Sequence, residues 1–473
     1  MRRACALAIM VLLPTCVLAR PVAAQEGGGL GATIAHEATA KVLWQDPSQI
    51  LFAIEALMDR GMIASTRSLG VPGQAAALDL IALKDGKVLW TVTLPSGVDA
   101  MNVCADTLVV AISGAVQGLA LKDGSLLWEQ PLQGRLETGW EPSPTFAQAS
   151  WFAEKAMKAQ GIGGAFFDGG GKLYTCVSGI AYRLDPATGD VVWERPIGFS
   201  VHSPLLTYKD LLLVPSDEGL LALDQETGQP KWGNPLGWIG QVRVVDDRIY
   251  GVPHMQGLCR FDPETGDVLW QLEKLAPSAG DTIFHCGDRT VVISNRTPMI
   301  INTETGELLW SVDAGGRWAD TDGQNLYYSP NGTKEIHAMS IADLKEKWKA
   351  NFTGFFFSRI SSVKPAVMGL GWGEVEAFNA DTGAAIWNWK APMIGGTIND
   401  VTMTADDRAY YIQIKDGIIG FDVASGMPVL EYPGEFFFCH WMHQRNGTLY
   451  FHVSPPTNGY VAAIPLTGAK AAQ

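Results

Sequence analysis

Leu258-Cys-Arg-Phe-Asp-Pro-Glu-Thr-Gly-Asp-Val-Leu-Trp270 is the stretch that decides the fold, because its cousins recur along almost the whole chain. Leu258 to Phe261 predicts a short strand, Asp262 to Gly266 a turn, and Asp267 to Trp270 the start of a second strand. Asp262 can bond backbone amides ahead of it, Pro263 presets φ, and Gly266 can take the left-handed conformation of a bulged hairpin loop. The stretch reads as a β-hairpin.

Outward from it, the pattern returns at Leu184 to Trp193, Leu223 to Trp232, Ile301 to Trp310 and Phe378 to Trp387. Shorter forms with Lys-Asp-Gly end at Trp90 and Trp128; degenerate forms end at Trp348, without the glycine, and at Leu430, without the tryptophan. The terminal positions 90, 128, 193, 232, 270, 310, 348, 387 and 430 lie 38, 65, 39, 38, 40, 38, 39 and 43 residues apart. A period near 40 residues points to propeller blades or to helical arrays. Between the hairpins the chain is β-prone: Gln241 to Val245 and Arg248 to Val252, split by Asp246 and Asp247, predict two further strands. Four antiparallel strands per unit, repeated around a ring, make an all-β propeller.

The Ala-Leu-Asp-x-x-Thr-Gly-x-x-x-Trp pattern, clearest at Leu221 to Trp232 and Arg183 to Trp193, resembles the tryptophan-docking motif of the pyrroloquinoline-quinone-like β-propeller repeat family. The resemblance covers nearly everything after residue 40. It implies that Trp44, Trp90, Trp128, Trp193, Trp232, Trp270, Trp310, Trp348 and Trp387 end outermost strands and dock between blades. It also implies a ring of eight blades, whereas the repeats in this chain count to ten. The family includes quinoprotein dehydrogenases and a propeller lipoprotein of the outer-membrane barrel assembly machinery, so the resemblance speaks for fold more than for function.

The ends of the chain bear on ring closure and on location. Residues 1 to 24 carry Arg2 and Arg3, an apolar run to Ala19, and Val22-Ala23-Ala24, which predicts a secretory signal peptide cut before Gln25. Pro14 interrupts the run and shortens it against a bilayer span, and Pro14 and Thr15 make a poor lipobox for anchoring through Cys16. Residues 25–37 are Gly-rich and predict a flexible segment, and 38–470 a single propeller domain. Ala40 to Trp44 resembles the final strand of a blade with no hairpin before it, while the C-terminal unit offers three strands at Glu435 to His440, Thr448 to Val453 and Tyr460 to Leu466. The Trp44 strand is therefore expected to complete the last blade and close the ring.

The chain has a net charge of −14, and loss of Arg2, Arg3 and Arg20 with the leader leaves 32 basic against 49 acidic residues, or −17. That balance disfavours nucleic acid and anionic lipid surfaces as partners. No later stretch predicts a membrane span, so the expected location is periplasmic or extracellular. Cys104, Cys176, Cys259, Cys286 and Cys439 show no metal or haem spacing and read as small buried residues, with a Cys259–Cys286 disulfide conceivable.

The 65-residue interval hides an insertion at about 135–161. Its Ala-rich part from Phe146 to Gln160, with Trp151, Phe152 and Met157 on one side, predicts an amphipathic helix on one rim, and with Trp140 before it this insertion is the candidate interaction surface. Phe355 to Phe357 and Phe436 to Phe438 fall on predicted innermost strands and read as core between blades. His440 and His443, three apart on a strand, fall on opposite faces, so with His452 they predict no metal site. No nucleophile elbow, phosphate loop or zinc helix motif is present. A quinone dehydrogenase would need pyrroloquinoline quinone with calcium, organised carboxylate and amide ligands and a base. Adjacent cysteines, which the resemblance associates with the quinone pocket of alcohol dehydrogenases, are absent, and the Asp and Asn residues in recognisable contexts belong to turns. The sequence therefore predicts a non-catalytic scaffold that binds protein partners through rim loops, without cofactor or metal, in envelope protein assembly. The alternatives are a quinone-dependent oxidoreductase and a propeller that binds a small ligand in its channel.

Overall fold

The computed structural model describes residues 44–466, apart from 133–166, 273–281, 391–402 and shorter segments at 48–49, 53–54, 69–75, 96, 113–114, 169–170, 178, 199–200, 202–204, 254–256, 294–296, 315–318, 355–356, 372–373, 406–408, 415–416, 434–437 and 455–459. The described chain forms ten four-stranded antiparallel sheets, the blades of one propeller. Nine blades are built from consecutive strands; blade 5, for example, runs Ile239–Val245, Arg248–Pro253, Leu258–Phe261 and Val268–Leu272. The tenth takes Phe438–Arg445, Thr448–Ser454 and Tyr460–Pro465 from one end of the chain and Trp44–Pro47 from the other, with Trp44 paired to Ala463. Ten blades, not the eight of the resemblance, make the ring.

First strands of neighbouring blades touch, Val98–Cys104 with Phe167–Asp168 and Ile239–Val245 with Thr282–Cys286, so they lie innermost. Because strands alternate in direction, turns between strands one and two share a rim with turns between strands three and four. The opposite rim carries the links between strands two and three and the connections from each outer strand to the next inner one.

The hairpin turns form as their residues dictate. The Asp262 carboxylate accepts from Glu264 N at 2.8 Å and Thr265 N at 3.1 Å, and Gly266 sits at φ +75°. The bulge predicted for the turn appears as a register shift: in nine blades the pairing of strands three and four shifts one residue before the tryptophan or Leu430, as between Arg260 and Phe261. Leu269 is the extra residue in blade 5. A bulge of this kind re-aims the next side chain, here toward the neighbouring blade, and leaves the residue before it exposed, as at Leu89, Leu127, Val192 and Leu269.

Seven indoles then make the same contact. Trp90, Trp128, Trp193, Trp232, Trp270, Trp348 and Trp387 donate Nε1–H to the carbonyls of Leu121, Pro186, Gln225, Pro263, Thr303, Ala380 and Val423 at 2.8–3.0 Å, each on the hairpin turn of the next blade. The turn glycine of that next blade lies against the ring. A Cβ on Gly266 would stand 2.3 Å from Trp232 Cε3, and one on Gly228 2.7 Å from Trp193. In seven blades the motif glycine thus serves its own turn and the tryptophan of the blade before it.

Between blades 6 and 7 the glycine is replaced by Leu344, held at φ +60°. Trp310, which faces that turn, is only half-buried and packs edge-on against Tyr328 with ring centroids 4.8 Å apart. Trp44 lies in the closing strand. The core is a series of apolar clusters, each spanning one seam, such as Leu206, Leu213 and Trp232 of blade 4 with Val242, Ile249 and Phe261 of blade 5.

Candidate functional site

Blade 4 projects a built feature onto the rim that carries the inter-blade connections. Its outer strand ends at Asn234 and its link to blade 5 is only Pro235-Leu-Gly-Trp238 before the inner strand begins at Ile239. Such a short link must cross the blade tightly, and Gly237 supplies the needed turn at φ +73°. Two backbone bonds pin it to the loop between strands two and three: Gly237 N donates to Glu218 O at 3.1 Å, and Ile239 N to Ser216 O at 2.9 Å. These bonds bracket Trp238 and set it across from Asp217. The receiving loop is itself fixed. Ser216, 1% exposed, accepts through Oγ from Glu218 N at 3.2 Å and Gly219 N at 3.1 Å. A Cβ at Gly219 would fall 1.9 Å from Asn234 O, so the two loops meet where only glycine fits.

Trp238 is 44% exposed on a link fixed by these backbone bonds, with Asp217 and Glu218 exposed on the loop across from it. Because it directly precedes the inner strand of blade 5, it stands at the inner part of the rim. No residue signal for a site is drawn from this short connection in sequence, because a single aromatic there does not stand out from other connections. A signal was available: Pro-x-Gly followed by an aromatic occurs at Pro196 to Phe199 and again at Pro235 to Trp238.

The predicted interaction residues Trp140, Trp151, Phe152 and Met157 lie outside the described residues. Their segment joins Leu126–Pro131 of blade 2 to Phe167–Asp168 of blade 3, the same class of connection as the one bearing Trp238. Phe357 and Phe438 begin the inner strands of blades 8 and 10; Phe355, Phe356, Phe436 and Phe437 lie outside the described residues. Pairing of His443 with Tyr450, two residues before His452, puts these two histidines on one sheet face. The irregularity between Cys439 and Trp441 breaks the strict alternation that the sequence reading applied to His440 and His443. Cys104, Cys176, Cys259 and Cys286 are free thiols, so the Cys259–Cys286 disulfide is not formed. Burial pushes the Cys259 thiol up to about 12, making it inert.

A side-chain network runs through the seam of blades 5 and 6. Asp246 Oδ2 meets His285 Nδ1 at 3.0 Å, His285 Nε2 meets Tyr250 Oη at 2.7 Å, and Tyr250 Oη meets Thr290 Oγ1 at 3.1 Å. Thr290 continues to Thr303 at 3.0 Å, whose carbonyl receives the Trp270 indole. Burial pushes the His285 imidazole below its usual value, against the pull of Asp246, and pushes Tyr250 up. Tyr250 is fully buried, so the relay joins blades 5 and 6 rather than meeting a substrate. Glu304 at the same seam lies between Arg260 at 2.8 Å and Arg248 at 3.0 Å, and Glu226 between Lys172 and Arg183 at the seam of blades 3 and 4. Among the described residues no three His, Cys, Asp or Glu side chains converge as metal ligands, and no helix is long and apolar enough to cross a membrane.

Fold and seam chemistry define a propeller of the tryptophan-docking, quinone-like repeat class. The chain belongs to the family described as outer membrane protein assembly factor BamB, which matches it at residues 28–149, 145–237, 179–299, 254–388 and 299–433. No curated protein matches the sequence. Among solved structures, BamB from Moraxella catarrhalis is similar at 15% identity and TM-score 0.37, covering 78% of this chain and 94% of that one. A quinohemoprotein alcohol dehydrogenase, ADHIIG from Pseudomonas putida HK5, is similar at 13% identity and TM-score 0.41, covering 82% and 77%. The computationally designed Ika8 protein follows at 13% identity and TM-score 0.35, covering 70% and 94%.

Proposed function

We propose that this protein is an exported, non-catalytic scaffold that captures a protein partner with the rim bearing Trp238 and takes part in envelope protein assembly. The observation that carries the reading is the exposed Trp238 on its pinned link. A rigid aromatic on an over-determined loop loses little freedom on binding, and tryptophan is over-represented among residues that dominate interfaces. Membership of the BamB family supports the same direction. Export rests on the leader at residues 1 to 24 and predicts a mature chain that begins at Gln25.

The test has two arms. In the native host, a photoreactive residue placed at Pro235 should crosslink a protein partner, and one placed at Glu264 on the opposite rim should not. In parallel, protein purified from that host is incubated with pyrroloquinoline quinone and calcium. Stoichiometric uptake with dye reduction would overturn the scaffold reading in favour of an oxidoreductase.

A further inference from the structure

We infer that Arg289, at the seam of blades 6 and 7, is the seat for a carboxylate from outside the chain. It lies on the rim of hairpin turns, opposite the rim of Trp238, and is independent of the scaffold reading. The repeats of the chain show what belongs there. In blades 3, 5 and 6 a cation stands at one equivalent position of strand two. Lys172 is two residues before Tyr174, which registers through Arg183 with Trp193. Arg248 is two before Tyr250, which registers through Arg260 with Trp270. Arg289 is two before Val291, which registers through Ile300 with Trp310.

Two of these cations are answered by the hairpin turn of the next blade. Six residues before Trp232 stands Glu226, which pairs with Lys172 and Arg183. Six before Trp310 stands Glu304, 3.0 Å from Arg248 and 2.8 Å from Arg260. Six before Trp348 the residue is Ala342, so Arg289 faces a turn without the carboxylate.

The guanidinium bears this out. Arg289 Nη1 is buried without a hydrogen-bond partner among the described residues, and Nε lies 3.8 Å from Asp288, its neighbour in the turn, whose side chain is 80% exposed. Arg248 also leaves Nε without a partner, but its two terminal nitrogens are both bonded, to Asp246 O and to Glu304. A long contact with an exposed carboxylate contributes little, whereas a buried N–H left unbonded is costly, so an incoming oxygen acceptor recovers that cost. The second cation of the sister seams is replaced by Ile300, which packs with Val291 and Tyr328. One positive charge therefore calls for one negative charge, and a carboxylate brings it with two oxygens that match the guanidinium fork. The seat is open to solvent: Ala342 is exposed, as are the side chains of Glu226 and Glu304 in the equivalent place. It is also the seam where Leu344 stands for the turn glycine and Trp310 is half-buried.

The test is a nuclear magnetic resonance titration of the full chain labelled with ¹⁵N-arginine, the Arg289 side-chain signal being identified by its loss in Arg289→Lys. The probes are sodium acetate, inorganic phosphate and an acetylated, amidated Ala-Ala-Glu-Ala peptide, at ionic strength held constant with sodium chloride. Acetate and peptide should each shift the Arg289 signal saturably. In Ala342→Glu, which restores the internal carboxylate at an exposed turn position, the signal should already be shifted and respond to neither; circular dichroism checks that this variant folds. Peptide affinity at least about tenfold above that of acetate marks the carboxylate of a protein segment as the ligand, and equal affinity marks a small free carboxylate. No saturable shift with either, a response to phosphate alone, or an undiminished titration in Ala342→Glu overturns the inference. None of these results bears on crosslinking at Pro235, so the scaffold reading stands or falls separately.

Discussion

Gly266→Ala probes the seam that repeats around the ring. Gly266 sits at φ +75°, and a Cβ there would stand 2.3 Å from Cε3 of Trp232. Two costs separate cleanly. The left-handed backbone by itself costs an alanine about 1 kcal/mol. Restoring van der Waals distance to the new methyl moves the indole by about 1 Å, enough to break its 3.0 Å bond to Pro263 O. Leaving that donor and acceptor unsatisfied adds about 2 kcal/mol. The expected loss is therefore about 3 kcal/mol. Gly287→Ala supplies the comparison, since Gly287 has φ +62° with nothing within 4 Å of its would-be Cβ; it should lose only the backbone share of about 1 kcal/mol. Both are measured by urea unfolding of the full chain. In a Trp232→Ala background the Gly266→Ala cost should drop to the backbone share, a coupling of about 2 kcal/mol. Equal losses at Gly266 and Gly287, or strictly additive losses with Trp232→Ala, would refute the account of the glycine as a seat for the preceding blade's tryptophan.

Leu344→Gly should stabilise the chain by about 1 kcal/mol by relieving a left-handed leucine, and oxidative footprinting should find Trp310 more protected than in the parent. His285 has a depressed pKa, so the unfolded chain takes up its proton first; stability should decline as pH falls below 6.5, and His285→Gln should flatten that slope in urea titrations. Glu304→Gln should cost less than about 1 kcal/mol, because the Glu304 side chain is 60% exposed despite its two arginines; a loss of several kcal/mol would mean that the ion triad holds the seam. Trp238→Ala should change the unfolding free energy from urea titrations by less than about 0.5 kcal/mol, and a larger loss would make Trp238 a structural residue.

Much of the fold was legible because its signals are local. Asp262, Pro263 and Gly266 fix a turn through their own backbone preferences, and the spacing from Trp90 to Leu430 counts the blades without reference to any contact. Even closure was readable, since the lone Trp44 strand and the three strands after Glu435 each lacked what the other offered. The site was less legible. Trp238 looks, in sequence, like any aromatic in a connection; what sets it apart is the pair of bonds from Gly237 and Ile239 to the Glu218 and Ser216 carbonyls.

The sequence by itself determined the four-stranded unit, its tenfold recurrence and the closing strand, because periodicity and turn chemistry act over a few residues. Only the tertiary structure decided that motif glycines such as Gly228 and Gly266 make room for the tryptophan of the blade before them, that the bulge one residue earlier aims that tryptophan, and that where Leu344 replaces the glycine Trp310 stays half-buried. Those facts join residues about one blade apart in the chain, and such pairings exist only once the ring has brought neighbouring blades face to face.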